Sequence, residues 1–265
     1  EPIARYTFDS DDIGADTFGN YPLEDRGYVT VVDGNSENGV HFDNTHLFNT
    51  FLYNTADPIK DKRDFTVSAF AKLDAGVTDW QCLFSNGWQG SGGLSAGYNI
   101  DGWVFVAADA GCDWISFNIA NELGDTSFSV LDWHNYTLTL KNGIQLSFYI
   151  DSILVYTTTF TSALVPSAYG SPFTIGTTYN GGYPFGGTID TVNIYDFALN
   201  SSQIGTVMKG KELMDDGPIL PEATYNFDCI NVYTDATGNH DMSSETSVTV
   251  AEGYNGKAGV FSGTG

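Results

Sequence analysis

"NYTLTLKNGIQLSFYIDSILVYTTTF", residues 135–160, alternates apolar and polar side chains with a period of two. Tyr136, Leu138 and Leu140 fall on one face and Thr137 and Thr139 on the other. That is the pattern of a half-buried strand, because successive Cβ atoms point to opposite sides of a pleated backbone. After the turn signal Lys141-Asn142-Gly143, Leu146, Phe148 and Ile150 form a second inward set, and Asp151-Ser152 turns the chain into a further strand through Leu154. The segment therefore reads as a strand followed by a hairpin. Upstream, "FTVSAFAKL", residues 65–73, places Phe65, Val67, Ala69 and Ala71 on one face. Turn signals recur at Asn86-Gly87 and Asn180-Gly181-Gly182. Short strands at regular spacing predict an all-β, two-sheet antiparallel sandwich. One stretch departs from this: "NSSQIGTVMKGKELM", residues 200–214, has an Asn or Ser cap before Ile204, Val207 and Met208 and predicts a short helix near 201–209.

The chain also repeats itself. A shift of 219 takes Pro2 to Pro221, Ala4 to Ala223, Tyr6 to Tyr225, Phe8 to Phe227, Asp9 to Asp228, Asp16 to Asp235, Gly19 to Gly238 and Asn20 to Asn239. Without a gap it continues through Val29-Thr30-Val31 onto Val248-Thr249-Val250, Gly34 onto Gly253 and Phe42 onto Phe261. Self-similarity at one fixed offset marks repeated modules. The expected organisation is a complete module over 1–214, a linker "DDGPILP" over 215–221 with two prolines and a glycine, and the opening part of a second, incomplete module over 222–265. So short a fragment has too much surface for its volume to hold a core unaided.

With 10 Lys and Arg against 33 Asp and Glu the formal charge is −23, yet only 16% of residues are charged, below the roughly 25% of an ordinary soluble domain. The acidity is a scarcity of cations. Nucleic acid and anionic lipid are bound by clustered cations, so neither is an expected partner, whereas a divalent cation is a fitting counter-charge. The Gly-, Thr-, Ser-, Asn- and Tyr-rich remainder points to an extracellular or cell-surface setting. No leader-like opening and no apolar run of membrane-spanning length is seen, so no membrane insertion is expected, and Glu1 is read as a processed end. Asn135-Tyr136-Thr137 and Asn200-Ser201-Ser202 are N-glycosylation sequons. Cys82 and Cys112 fall on neighbouring expected strands and are either a disulfide or two buried thiols, while Cys229 lies in the repeated tail.

The ordered succession of "YTFD" and "DTFGN", "FTVSAFAKL", "WHNYTLTL" with "LSFYIDSILV", "FTIGTTY" and "FGGTIDTVNIYDFALNSSQI" resembles the laminin G-like or concanavalin A-like jelly rolls over residues 3–208. The resemblance implies two sheets, one concave, with Trp133, Tyr136, Leu138, Phe148 and Ile150 in the core. It also implies that the final strand "TIDTVNIYDFAL" returns beside the first, "ARYTFD". A structural Ca²⁺ is implied where the opening loop nears the closing strand, the matching ligands being Asp9, Asp16, Asn20 and Asp190, hard oxygen donors of the kind Ca²⁺ takes. Where the family usually has Asp-Gly at the hairpin turn, this chain has Asp151-Ser152.

Trp88, Trp103, Trp114, Tyr179 and Tyr183 lie in or beside Gly-rich loops and are the candidate glycan-binding residues. Sugar rings stack on exposed aromatic faces; the other reading is that these rings seal the sandwich rim. Catalysis has less to stand on. "GLSAG", residues 93–97, matches a nucleophile elbow without the helix that motif requires. No spaced carboxylate pair of the glycosidase kind clusters on one strand, and the His residues lack metal-ligand spacing. "DSDDIGADTFGN", residues 9–20, fails as an EF-hand loop because Ile13 and Asn20 stand where ligands are needed. The expectation is a non-catalytic extracellular structural or adhesive repeat protein that assembles through its incomplete C-terminal module, head-to-tail with copies of itself through residues 221–265, into a filament or tandem array. The alternative is a lectin-like module binding polysaccharide.

Overall fold

The structure, a computed structural model, describes residues 1–45, 50–88, 92–108, 114–166 and 171–210, and the backbone of two further strands at 248–252 and 257–261. The chain divides into two compact units, Glu1–Leu213 and Met214–Gly265. Expected features at Cys112, Cys229 and the 215–221 linker fall outside the described residues.

In the first unit the strands are β1 (Ala4–Tyr6), β2 (Glu24–Asp25), β3 (Val29–Asp33), β4 (Asn38–Phe42), β5 (Leu52–Asn54), β6 (Phe65–Leu73), β7 (Trp80–Ser85) and β8 (Leu94–Asn99). They continue as β9 (Trp103–Ala108), β10 (Ile115–Asn118), β11 (His134–Lys141), β12 (Gln145–Ile150), β13 (Ile153–Thr159), β14 (Phe173–Ile175) and β15 (Gly187–Tyr195). One antiparallel sheet runs β13-β12-β11-β6-β15-β4-β3, with β1 also on β15; the other runs β10-β9-β8-β7-β14-β5-β2. This is the all-β, two-sheet antiparallel sandwich that the alternation predicts, with the jelly-roll fold that the family resemblance implies.

The register explains the core. Tyr136 faces Ile150, Leu138 faces Phe148 and Leu140 faces Leu146 across β11 and β12, while Leu138 faces Val67 and Leu140 faces Phe65 across β11 and β6. All are buried, as are Val104, Val106 and Ala108 of the opposite sheet. Ring stacks tie the layers together: Tyr98 of β8 lies 4.3 Å from Tyr136 of β11, and Phe117 of β10 lies 4.4 Å from Tyr156 of β13. Trp133, expected in the core, is instead half-buried, with the Lys72 ammonium 5.1 Å from its ring centroid.

The outward faces of β11 and β12 are also covered. Thr137 and Thr139, which the alternation assigns to solvent, are buried. The reason is a second apolar layer, formed by Tyr149, Tyr195, Leu199 and Ile204 with Phe197, Val207 and Met208. Ile204 sits on α2 (Ser201–Val207), the expected helix, and Asn200 caps it by accepting from Gln203 N at 3.0 Å while the Gln203 side chain accepts from Asn200 N. A five-residue helix that the sequence reading did not include, α1 (Ile119–Leu123), is capped by Asn118 and ends at Gly124 with φ 65°.

The Asp151-Ser152 turn takes φ of 50° and 70°, the left-handed pair that matches the twist of a two-residue hairpin. Asp151 offsets part of the strain: its carboxylate accepts from Asn135 N at 2.8 Å and meets His134 Nδ1 at 2.7 Å.

In the second unit β16 (Val248–Glu252) and β17 (Lys257–Phe261) form an antiparallel hairpin, with Val248 opposite Phe261, Val250 opposite Gly259 and Glu252 opposite Lys257. In the first unit Val29 is opposite Phe42, Val31 opposite Val40 and Asp33 opposite Asn38. Each tail pair is the corresponding β3–β4 pair displaced by 219.

Because serine lacks glycine's freedom at positive φ, Ser152→Gly is expected to stabilise the first unit by about 0.5–1 kcal/mol, read as a higher urea midpoint at unchanged slope.

Candidate functional site

The four residues matched to a calcium site each serve the backbone. Asp16 is buried, with Oδ1 accepting from Arg5 N at 2.8 Å and Phe18 N at 3.2 Å, and Oδ2 accepting from Asn20 N at 2.9 Å and Tyr21 N at 3.0 Å. Those bonds engage the roughly four lone-pair sites of a carboxylate. Asn20 itself is exposed. Asp190 is fully buried, with Oδ2 accepting from Asn35 N and Ser36 N at 2.9 Å and Oδ1 from the Thr191 hydroxyl. Burial raises its pKa and these hydrogen bonds work against the rise. Asp9 accepts from Asn38 N at 2.9 Å, at the other end of the same turn. Among the described residues no three His, Cys, Asp or Glu side chains gather as a metal would need. The set does not fit a cation cage; these acids anchor loops.

Asn135 is 2% exposed and is bonded to Ser68 and Thr137, so its sequon has no room for a glycan. Asn200 is exposed. Cys82 is a buried thiol donating to Phe84 O at 3.3 Å, and burial pushes its pKa up; its suggested partner Cys112 lies outside the described residues. The "GLSAG" serine, Ser95, is buried in β8 and bonded to Ser85 Oγ and Gly87 O. A strand rather than a strand-to-helix turn holds it.

The aromatic residues give a more definite arrangement. Cys82 of β7, Gly97 of β8 and Phe105 of β9 form a row across their sheet, on the face turned away from Val104 and Val106 of the core. Phe105 lies across this row because Gly97 has no side chain: a Cβ there would meet Phe105 Cε1 at 2.8 Å and Gln81 O at 2.0 Å. Over Cys82, Phe105 and Ala107 pack the half-buried Trp80, Trp88, Trp114 and Tyr183. Trp114 stacks on Phe105 at 5.1 Å and meets Trp80 edge-on at 5.5 Å; Trp88 lies 6.0 Å from Trp114 and 5.7 Å from Tyr183. Tyr183 has φ 49°, and its carbonyl accepts from Cys82 N at 2.8 Å, which pins the residue to the sheet.

Two hollows open beside this cluster. One of 490 Å³ is lined by Trp80, Asp79, Asn44, Gly182, Tyr183 and Pro184 among others; one of 270 Å³ is lined by Trp88, Thr178, Tyr179, Asn180, Gly182 and Tyr183. They share Gly182 and Tyr183. The shared loop is braced, with Thr178 N donating to Gly182 O at 2.9 Å and Gly181 N to Thr178 O at 2.8 Å. Of the five candidate glycan-binding residues, Trp88, Trp114, Tyr179 and Tyr183 therefore converge. Trp103 does not: it starts β9 opposite Asn118 and is 42% exposed. Trp80 and Phe105 were not among the candidates. The run "WVFVAA", residues 103–108, is apolar on both faces and hides its second cluster, whereas Trp80 and Cys82 at alternate positions carried a readable signal.

The loop bearing Trp88 is closed by Asn86, whose N donates to Leu94 O and whose Oδ1 accepts from Leu94 N, both at 2.9 Å. Its Nδ2 donates to Asp57 Oδ2 at 2.8 Å. Burial raises the Asp57 pKa to about 6 from an ordinary 3.8, against the Asn86 and Ile59 hydrogen bonds. The folded chain thus holds this proton more tightly than the unfolded chain, so the group's contribution to stability falls as pH rises between about 4 and 6. Asp57→Asn, which cannot titrate, is expected to gain stability relative to the parent through that window, measured by urea midpoints from pH 4 to 7. A pH-independent difference between the two proteins would show that Asp57 is not held this way.

The sequence profile described as the concanavalin A-like lectin/glucanases superfamily matches residues 48–205. No curated protein matches the chain significantly. Among solved structures, domain 4 of AbnA, an extracellular arabinanase from Geobacillus stearothermophilus in complex with arabinotriose, aligns at TM-score 0.59 and 18% identity over 77% of this chain and 97% of that one. The binding domain of Paraclostridial Mosquitocidal Protein 1 aligns at TM-score 0.59 and 19% identity over 79% of this chain. The receptor binding domain of botulinum neurotoxin D aligns at TM-score 0.58 and 14% identity over 79%. The alignments take in 52% of each toxin domain, about half its length. Identities this low speak for a common fold alone.

Proposed function

The chain belongs to the concanavalin A-like lectin/glucanases superfamily, and from that premise we propose that it is a non-catalytic extracellular module that binds a glycan on the aromatic face of its first unit. The observation carrying this is the convergence of Trp88, Trp114, Tyr183 and Trp80 over Phe105 beside two hollows that share Tyr183. Half-buried aromatic rings give pyranose or furanose C–H faces a flat apolar surface, and stacked contacts of this class contribute about 0.5–1.5 kcal/mol each beyond area. Asp79, Asn44 and Asn180 beside the rings offer polar edges for hydroxyl groups. No Lys or Arg lines either hollow among the described residues, which favours an uncharged glycan over a uronate or sulfate. The arabinotriose complex of the structural neighbour accords with a neutral oligosaccharide. The non-catalytic part rests on chemistry: glycoside hydrolysis ordinarily uses two carboxylates, and Asp79 is the one carboxylate among the described lining residues of the two hollows.

A second reading, a structural or adhesive repeat that assembles head-to-tail through residues 221–265, has in its favour the tail hairpin's β3–β4 register. The two readings are compatible in one extracellular chain.

Titration calorimetry against neutral plant and microbial polysaccharides tests glycan binding. Trp88→Ala and Tyr183→Ala are each expected to weaken association about tenfold, roughly 1.4 kcal/mol, while Trp103→Ala leaves it unchanged, with melting curves verifying that each variant folds. Equal losses in all three variants, or no binding to any neutral polymer, would refute the proposed site.

A further inference from the structure

The larger hollow, of 490 Å³, holds polar atoms that the fold does not use. Asp79, the residue before β7, is exposed and takes φ 70°, a left-handed conformation uncommon for residues other than glycine. Its Oδ1 accepts from Trp80 N at 2.8 Å, while its Oδ2 has no hydrogen-bond partner among the described residues. Neither burial nor a long-range bond requires the conformation. What it achieves is placement: a carboxylate stands directly before Trp80, and both residues line the hollow. Tyr183, at φ 49°, lines it as well. Backbone strain of this sort gathers at ligand clamps.

Asn44, half-buried, belongs to the same lining. Its side chain rests where Gly186 has none: a Cβ on Gly186 would lie 2.6 Å from Asn44 Nδ2 and 2.7 Å from its Cγ. Gly186 is itself fixed, its N donating to Gln81 Oε1 at 2.7 Å. Among the described residues no hydrogen bond engages the Asn44 amide. An amide offers N–H donors, whereas a carboxylate only accepts. Beside a half-buried indole, an open donor and an open acceptor match a ligand with an apolar face and hydroxyl edges. A cation would suit Asp79 and Trp80 but would leave the Asn44 donors unanswered.

We propose that this hollow is an orienting subsite for a neutral sugar unit with two adjacent free hydroxyls. The ring lies against Trp80, both hydroxyls donate to Asp79, and the Asn44 amide donates to a further oxygen of the sugar. Of the roughly four lone-pair sites of a carboxylate, Trp80 N takes one, which leaves room for both O–H donors, and hydrogen bonds to an ionised acceptor are the strong ones. The inference rests on the glycan reading of the aromatic face and names the group that chooses among sugars. A unit whose adjacent hydroxyls are substituted keeps its stacking face and loses these bonds.

Titration calorimetry of the full chain with cello-, xylo-, manno- and arabinohexaose, and with methylcellulose as a hydroxyl-capped counterpart, tests it. The parent is expected to bind at least one hexasaccharide, and Asp79→Asn, which keeps the Oδ1 acceptor and tolerates positive φ, to weaken that binding about tenfold. Asp79→Gly is expected to show the same loss, although glycine suits φ 70° better. Both variants are expected to melt at or above the parent's midpoint. Methylcellulose is expected to bind the parent less tightly than the hexasaccharide does, and to bind parent and variants equally. Undiminished hexasaccharide binding in Asp79→Asn, where Trp88→Ala weakens it, would overturn this subsite and leave the aromatic face standing; binding of none of the hexasaccharides would overturn both. Methylcellulose bound as tightly as a hexasaccharide, or displacement of the hexasaccharide by tetramethylammonium, would overturn the diol assignment.

Discussion

β15 is the strand on which the first unit's closure depends. Its first half pairs with β4, its second half with β1, and β6 lies along its other side. The change of partner occurs at a bulge between Asp190 and Asn193, where Thr191 takes φ 45°. A bulge bends a strand and re-aims its side chains. Beside it Asp190, a fully buried carboxylate, accepts two N–H groups of the 34–36 segment and so fixes the β3–β4 turn. An unpaired carboxylate so placed would cost several kcal/mol; with its hydrogen bonds it becomes the joint that holds the opening strands on the closing one.

The fold was legible because its dominant signal is local. Period-two alternation at Tyr136, Leu138, Leu140 and at Leu146, Phe148, Ile150 fixes both strand type and inward face, and the cross-strand register pairs those residues with one another. The alternation misassigned Thr137 and Thr139 because it contains no information about a third layer, here the apolar cover that includes α2. α1 escaped because five residues are too few to show helical periodicity.

The site was half legible for a related reason. Tryptophans in Gly-rich loops announce themselves, and Trp88, Trp114 and Tyr183 do converge. What sequence cannot convey is which loops return to the same sheet face, so Trp103 looked equivalent while Phe105, two residues later and on that face, did not stand out. For the acids, residue type and spacing alone leave more than one role open. Asp16 has the residue type and spacing of a cation ligand, but a carboxylate accepting four backbone N–H groups has already spent its capacity on the loop.

The density of indoles on the outer sheet has an optical consequence. Trp80 and Trp88 each lie within 6.0 Å of Trp114, separations at which their transition dipoles couple and excitation is shared among the rings. A molecule settling on any one of them perturbs the absorption and emission of the group, so the near-ultraviolet dichroism of the unmodified protein serves as an intrinsic gauge of occupancy.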